Sequence, residues 1–366
     1  MEESIRIMTK KEDPLKKMRI LLGLNFVSKR WAKVMSLTLV TVHCLINWVG
    51  FQVLRMESSL LLIFIGLPPM VVAVINTLQN LSQFPNLVYK YCMSFRSLNQ
   101  RLKINIERES EATIYIAITN TLILQFSVAS IFWIFSRKDF EVIDMKVYAK
   151  FQNCLGRYVI LFLDVATIVY LQAAAWALAQ IANGTVYIYK QIKFQTLALI
   201  SWMDDLHQCD NKIVDPYNET YQKKVNSTLN KIILRYLEII KYYKDINNSQ
   251  HILIYGLLSS GFAALISGIV IMLLEGPNGI FATLPITVMV VFMLMQTCLI
   301  GEDIEAASNK FNESMYNADW MYWNQSNKKM LLILLVSTTK PMALKISGVG
   351  TINLQFVKEV GVLKSL

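Results

Sequence analysis

The sequence predicts an all-α polytopic membrane protein. It should have seven transmembrane helices, a cytoplasmic N-terminus, an extracellular C-terminus and a cytoplasmic helical anchor region. Three observations predict this. Of 366 residues, 54% are hydrophobic and only 17% are charged, against about 25% charged in a soluble domain. Six stretches are apolar for the roughly 20 residues a helix needs to cross a bilayer. Lys and Arg fall overwhelmingly on one side of those stretches, as the positive-inside rule requires of cytoplasmic loops.

The apolar stretches run near 34–54, 60–78, 113–135, 159–182, 252–274 and 281–300. Pro68 and Pro69 lie inside the second, which a membrane bundle tolerates where neighbours satisfy the freed carbonyls. The tail after Pro341 is a seventh span, poorer by hydropathy. With the N-terminus inside, the segment up to residue 31 and the connections 79–111, 184–251 and 301–340 carry 26 Lys and Arg, and the opposite side carries six. Long loops obey the rule poorly, but without 184–251 the balance is still 17 to six. Sequons occur at Asn80, Asn183, Asn218, Asn226, Asn247, Asn312 and Asn324. All lie on the proposed cytoplasmic side, where glycosylation does not occur. The chain then divides into spans 1–4 with the N-terminal segment (1–183), cytoplasmic helical extensions (184–251), spans 5–6 (252–300), anchor helices (301–340) and the seventh helix (341–366).

The same residues exclude other classes. The net charge of +10 reads as basic loops facing anionic lipid rather than as a nucleic-acid surface. Five cysteines, at 44, 92, 154, 209 and 298, are odd in number and scattered, so they build neither a disulfide framework nor a metal spacing. The first thirty residues hold eight Lys and Arg with no clean apolar core and are not a signal peptide. Three histidines, at 43, 207 and 251, lie far apart. Asp204, Asp205, His207 and Cys209 read as a polar helix end rather than a metal site. No P-loop or nucleophile elbow occurs. The expectation is a non-enzyme with no cofactor and no metal. A D-R-Y after the third span and an N-P-x-x-Y in the seventh are both missing, and the orientation is opposite to that of a G-protein-coupled receptor.

The polar connections are helical in pattern. Ile232, Ile233, Tyr236, Leu237 and Ile240 share one face of a helix, with Lys231, Arg235, Glu238 and Lys241 around the remainder. An apolar stripe on such a helix needs a partner. The 301–340 connection repeats the style. Both read as continuations of the fourth to sixth spans, either as ordinary solvated helical loops or as a region where subunits dock.

The C-terminal third carries a specific pattern. Tyr316-x-x-x-Trp320 is followed by Lys328-Lys329 before an apolar helix. Then come Ser337-Thr-Thr-Lys340-Pro341, Gly350, and Leu354-x-Phe356. In order and spacing this resembles the insect odorant receptor family signature over about 50 residues, with the Lys340-Pro341 step its most specific piece. The resemblance implies a ligand-gated, non-selective cation channel at the plasma membrane of a sensory neuron dendrite. Such receptors are tetramers around a central pore, with Tyr316, Trp320, Lys340 and Pro341 placed in the subunit-packing anchor. Most members are tuning subunits that join a shared co-receptor. The co-receptor type carries a long insertion in its 4–5 connection, and 184–251 is short beside that, so the implied assembly is a heterotetramer with the co-receptor.

In that frame the polar tail has a use. A helix facing lipid cannot hold Lys358 and Glu359, but one facing a wet pore can. Gln355, Lys358, Glu359 and Val362 form one stripe, while Phe356, Val360 and Leu363 lie largely apart from it. Val362 and Leu366 are the candidate gate, since apolar constrictions close by dewetting. Family members continue several residues further, with aromatic residues after the position of Phe356. That departure implies a subunit that draws part of its pore from partners.

A volatile ligand needs a small, mostly apolar cavity with few polar groups. The outer halves of the spans offer Phe64 and Leu67, Phe126, Ser130 and Trp133, Tyr158 and Phe162, Met272, and Phe281 and Thr283. Phe126, Ser130 and Trp133 share one helix face, and Ser130, Tyr158 or Thr283 could supply a hydrogen bond. No cationic cluster lines this region, which disfavours an anionic ligand. Asp164 is the one carboxylate inside the fourth span. It reads as structurally paired, and His43 as a satisfied bundle residue. The rivals are a gustatory-type receptor channel and a secondary transporter. A transporter commonly shows inverted repeats with broken helices, and only Pro285 faintly echoes Pro68-Pro69.

Overall fold

The computed structural model describes residues 13–21, 84–95, 99–135, 157–208, 218–275, 277–346 and 350–355. These residues form α1 (Lys16–Leu21), α2 (Phe84–Tyr91), α3 (Gln100–Phe135), α4 (Arg157–Gln208), α5 (Glu219–Glu275), α6 (Pro277–Tyr316) and α7 (Gln325–Thr338). A 3₁₀ turn at Trp320–Tyr322 joins α6 to α7, and β1 (Lys345–Ile346) pairs antiparallel with β2 (Gly350–Thr351).

The long helices are each one continuous piece. α4 has 52 residues and α5 has 57, so at 1.5 Å per residue they are about 80 Å long. A bilayer core is about 30 Å thick, and more than half of each helix must extend past it. The polar part lies at the start of α3, the end of α4, the start of α5 and the end of α6. Successive long helices alternate in direction, and α3, α4 and α6 pack on one another, as do α5 and α6. All four polar parts therefore gather at one end of the bundle. Among the described residues no helix is long and apolar enough to cross a membrane. The stretches at 34–54 and 60–78 lie outside those residues, and side chains of the other four stretches are described only in part.

The polar end has its own core. Tyr187, Tyr189, Ile192, Phe194 and Met203 from α4 are buried against Val225, Leu229, Ile232, Tyr236, Ile239, Tyr242 and Ile246 from α5. Their spacing on α5 is three or four residues at every step, which keeps one face inward. The stripe expected from sequence is shifted in part: Ile232 and Tyr236 are buried, but Leu237 is exposed. Phe311, Met315, Trp323, Leu331 and Leu334 bring α6 and α7 onto the same core.

α7 is fixed to α5 mainly by amides. The Asn327 side chain, fully buried, donates to the Gln222 carbonyl at 3.1 Å and to its Oε1 at 3.0 Å. Gln222 donates to the Tyr322 carbonyl, and Asn226 donates to Asn327 Oδ1. Asn324 caps α7, its side chain accepting from the Asn327 N–H at 2.9 Å. A side-chain acceptor at this position satisfies one of the orphan donors of a helix start.

Residues 341–346 and 350–353, which the sequence assigns to the seventh helix, are not helical. They include the β1–β2 pair, and helical conformation is described at Leu354 and Gln355. Gly350 supplies one reason. Its φ of 110° lies where only glycine is unstrained, a backbone conformation that a right-handed helix does not contain.

Candidate functional site

α6 carries three layers of contacts that tie the apolar part of the bundle to the start of the final segment. The first is a clasp of amides. Asn120 of α3 donates to Asn183 Oδ1 of α4 at 3.1 Å and to Gln296 Oε1 of α6 at 2.9 Å. Gln296 donates back to Asn120 Oδ1. Asn183 donates onward to the Ala117 carbonyl and Thr121 Oγ1. Asn120 and Asn183 are essentially unexposed. Each buried amide left unpaired would cost about 1–3 kcal/mol, so the clasp holds three helices in one register.

The second layer lies two turns further along α4 and α6. Lys190 Nζ sits 2.5 Å from both Glu109 Oε1 of α3 and Asp303 Oδ2 of α6. Lys193 Nζ approaches the same two carboxylates at 2.6 and 3.1 Å. Burial alone would lower the Lys190 pKa, but hydrogen bonds and charges from Asp303 and Glu109 outweigh it and raise it above the ordinary lysine range. Burial likewise opposes the Asp303 charge, yet Lys190 and Lys193 hold its carboxyl below the usual carboxylate range. The four charges cancel, which is what allows them to sit between helices.

The third layer seats the final segment on α6. A Cβ on Gly301 would lie 1.9 Å from the Ile352 carbonyl oxygen, so the chain touches bare helix backbone there. Asn353 donates to Glu305 Oε2 at 3.1 Å, and the Met342 N–H donates to Ser308 Oγ at 3.1 Å. Tyr243 of α5 donates to the Ala343 carbonyl from the other side. Beside this seat is an open cavity of about 430 Å³ lined by Glu302, Glu305, Asn309, Asn353 and Gln355 among others.

Of the expected pore residues, Gln355 is exposed at this cavity, and Lys358, Glu359, Val362 and Leu366 lie outside the described residues. Of the expected ligand residues, Phe64 and Leu67 also lie outside them. Phe126 projects from α3 and is 76% exposed. Ser130 and Trp133 fall on α3, Tyr158 and Phe162 on α4, Met272 on α5, and Phe281 and Thr283 on α6, with side chains outside the description. Asp164 falls on α4 in the same way, and His43 lies outside. Of the expected interface residues, Tyr316, Trp320 and Lys340 are exposed and Pro341 is half-buried.

Sequence reasoning missed the clasp and the charged layer. Asn120 and Gln296 were visible as lone amides inside apolar stretches. Asn183 was read only as a sequon, and it is instead an internal hydrogen-bonding residue, as are Asn226, Asn312 and Asn324. The pairing of Lys190 and Lys193 with Glu109 and Asp303 crosses 81 to 113 residues and leaves no local pattern.

No curated protein matches the chain. Among solved structures it resembles the insect olfactory receptor OR5 from Machilis hrabei, with a TM-score of 0.57 at 9% identity, over 94% of this chain and 86% of that one. It resembles the same receptor in complex with eugenol, with a TM-score of 0.57 at 10% identity, over 92% and 96%. At such identity the likeness shows the seven-helix fold alone. The family model described as 7tm Odorant receptor matches residues 51–361, and the chain therefore belongs to the odorant receptor family of multi-pass membrane proteins.

Proposed function

We propose that the chain is a tuning subunit of an odorant-gated, non-selective cation channel, working as a heterotetramer with a co-receptor. The observation that carries this reading is the family match across residues 51–361, in a receptor and channel family rather than an enzyme family. The eugenol complex of the neighbouring fold supports a small-molecule ligand for this chain also. In this reading the N-terminus is cytoplasmic, the C-terminus extracellular, and the site of action the dendritic plasma membrane of a sensory neuron. The volatile ligand sits in the outer membrane half among Phe126, Ser130, Trp133, Tyr158, Phe162, Phe281 and Thr283.

The layers on α6 suggest how binding reaches the pore. α6 begins near Phe281 and Thr283, passes the amide clasp at Gln296, and meets the final segment at Gly301 and Glu305. A shift of α6 at its ligand-facing end would move Ile352 and Asn353, because Gly301 leaves no slack between helix and chain. Those residues lead directly into Gln355, Lys358 and Glu359, the stripe assigned to the conduction path. The gate follows at Val362 and Leu366.

The test is patch-clamp recording from cells expressing the chain with and without an insect co-receptor, under a volatile panel and with G-protein signalling blocked. A fast cation current that needs both chains is expected. Lys358→Gln with Glu359→Gln should then shift the reversal potential or conductance. Absence of current with the chain shown at the surface would overturn the channel reading. An unchanged current in the double variant would remove the stripe from the pore.

A further inference from the structure

The N-terminal segment is tied to the bundle by one buried carboxylate. Asp13 is 4% exposed. It accepts from Tyr187 Oη at 2.8 Å, Gln191 Nε2 at 2.7 Å, Tyr89 Oη at 3.4 Å and the Leu15 N–H at 3.0 Å. These donors come from α4, α2 and the segment itself. Leu15 and Met18 are fully buried beside it. α1 is therefore pressed onto the bundle by its apolar side, and Lys16 and Lys17 are left exposed on the other. Lys90 is exposed next to Tyr89 on α2, its ammonium 5.1 Å from the Tyr91 ring.

The level of this hub along α4 decides what it faces. The apolar stretch of α4 ends at residue 182, and Tyr187 and Gln191 follow it by five and nine residues. At 1.5 Å per residue that places Asp13 about 8–14 Å beyond the apolar stretch, just outside a headgroup layer that reaches about 5–8 Å past the hydrocarbon core. Lys10, Lys11 and Arg19 flank the same segment in sequence. Basic residues held near a leaflet surface attract anionic lipid by about 1 kcal/mol each, within a Debye length.

We infer that the segment around α1, locked to α2 and α4 through Asp13, is a binding site for anionic phospholipid headgroups of the cytoplasmic leaflet. Lys16 and Lys17 are its described ligand-facing groups, and Lys90 lies at its edge. The occupant is lipid rather than free phosphate because the hub sits beside the spans, with its lysines within a Debye length of the headgroup layer. The inference rests on reading α4 as a membrane span.

The experiment uses the full chain in nanodiscs of phosphatidylcholine alone or of phosphatidylcholine with phosphatidylserine. Retained lipid is counted by native mass spectrometry after release. Incorporation into phosphatidylcholine discs tests the membrane reading by itself, so its failure is distinct from failure of the site. The site predicts that wild type retains phosphatidylserine preferentially. Lys16→Gln with Lys17→Gln should cut that retention about tenfold or more, and raised salt should act in the same direction. Lys223→Gln, at the start of α5 beside its Glu219 partner, should not change it. Asp13→Asn should weaken retention while both lysines remain, because the segment loses its anchor. Equal retention of the two lipids by wild type, or undiminished preference in the Lys16/Lys17 variant, would overturn the inference.

Discussion

Gly301 is a residue whose smallness is used for contact. The Ile352 carbonyl lies where a Cβ would stand, 1.9 Å away, and a carbonyl cannot rotate aside as a flexible side chain can. Gly301→Ala should therefore push the final segment off α6, at about 1–3 kcal/mol of overpacking. Gly350→Ala is the informative comparison. Nothing lies within 4 Å of its added Cβ, so its cost is the backbone strain of φ 110° alone, about 1–2 kcal/mol. Thermal melts followed by tryptophan fluorescence should show both variants destabilised. Only Gly301→Ala should also change ligand-evoked gating, since it alters the α6 contact. Equal gating in the two variants would remove Gly301 from the transmission path. Gly350 was visible within the sequence signature. Gly301 was not, because nothing local distinguishes a helix glycine that meets a distant carbonyl from one that meets nothing.

At the scale of elements, three helices meet in the Lys190–Lys193–Glu109–Asp303 layer, and its pH dependence follows from the two shifted groups. The Asp303 pKa is lowered on folding, so its stabilisation is present above the ordinary carboxylate range and is lost as pH falls through the depressed value. The Lys190 pKa is raised, so its stabilisation is complete below the ordinary lysine range and is lost as pH rises through the elevated value. Melting temperature should therefore be flat across neutral pH and fall at both extremes. Asp303→Asn should lower the plateau and shallow the acid limb, and Lys190→Met should act on the alkaline limb. Limbs unchanged in these variants would assign the pH response elsewhere. The elements themselves were legible to different degrees. The helical pattern after the fourth span and before the fifth pointed to long continuous helices, and α4 and α5 are continuous. The strand pair at 345–351 was not legible. Two-residue strands carry no alternation to read, and the chain around them is held by Tyr243, Ser308 and Gly301, which lie 34 to 100 residues from the groups they touch.

On the whole molecule, the polar end carries apolar side chains that stand exposed among the described residues. Leu332, Ile333 and Val336 on α7 are 61%, 66% and 64% exposed. Tyr316, Trp320, Met321 and Tyr322 continue that exposure around the 3₁₀ turn. The opposite side of α7 is satisfied internally by Leu331, Leu334 and Asn327, so the helix keeps its place without any partner. Burying a side chain of this kind is worth about 1.5–3 kcal/mol, and contiguous apolar patches at this scale mark association surfaces. The sequence placed Tyr316 and Trp320 at a subunit contact by resemblance, and the outward Leu332, Ile333 and Val336 extend the same surface. Ile333→Glu with Val336→Glu should then split the proposed oligomer, read by light scattering of the purified protein in detergent. The melting temperature of the protomer core should change little, because neither side chain packs inside it. Leu331→Ala is the contrasting variant. It empties a buried position at about 2–5 kcal/mol, and should lower the melting temperature before it changes the mass. If the glutamate pair left the mass unaltered, the subunit contact would have to lie on another face, and the exposed apolar positions of α5, Leu234 and Leu237, would be the next to test.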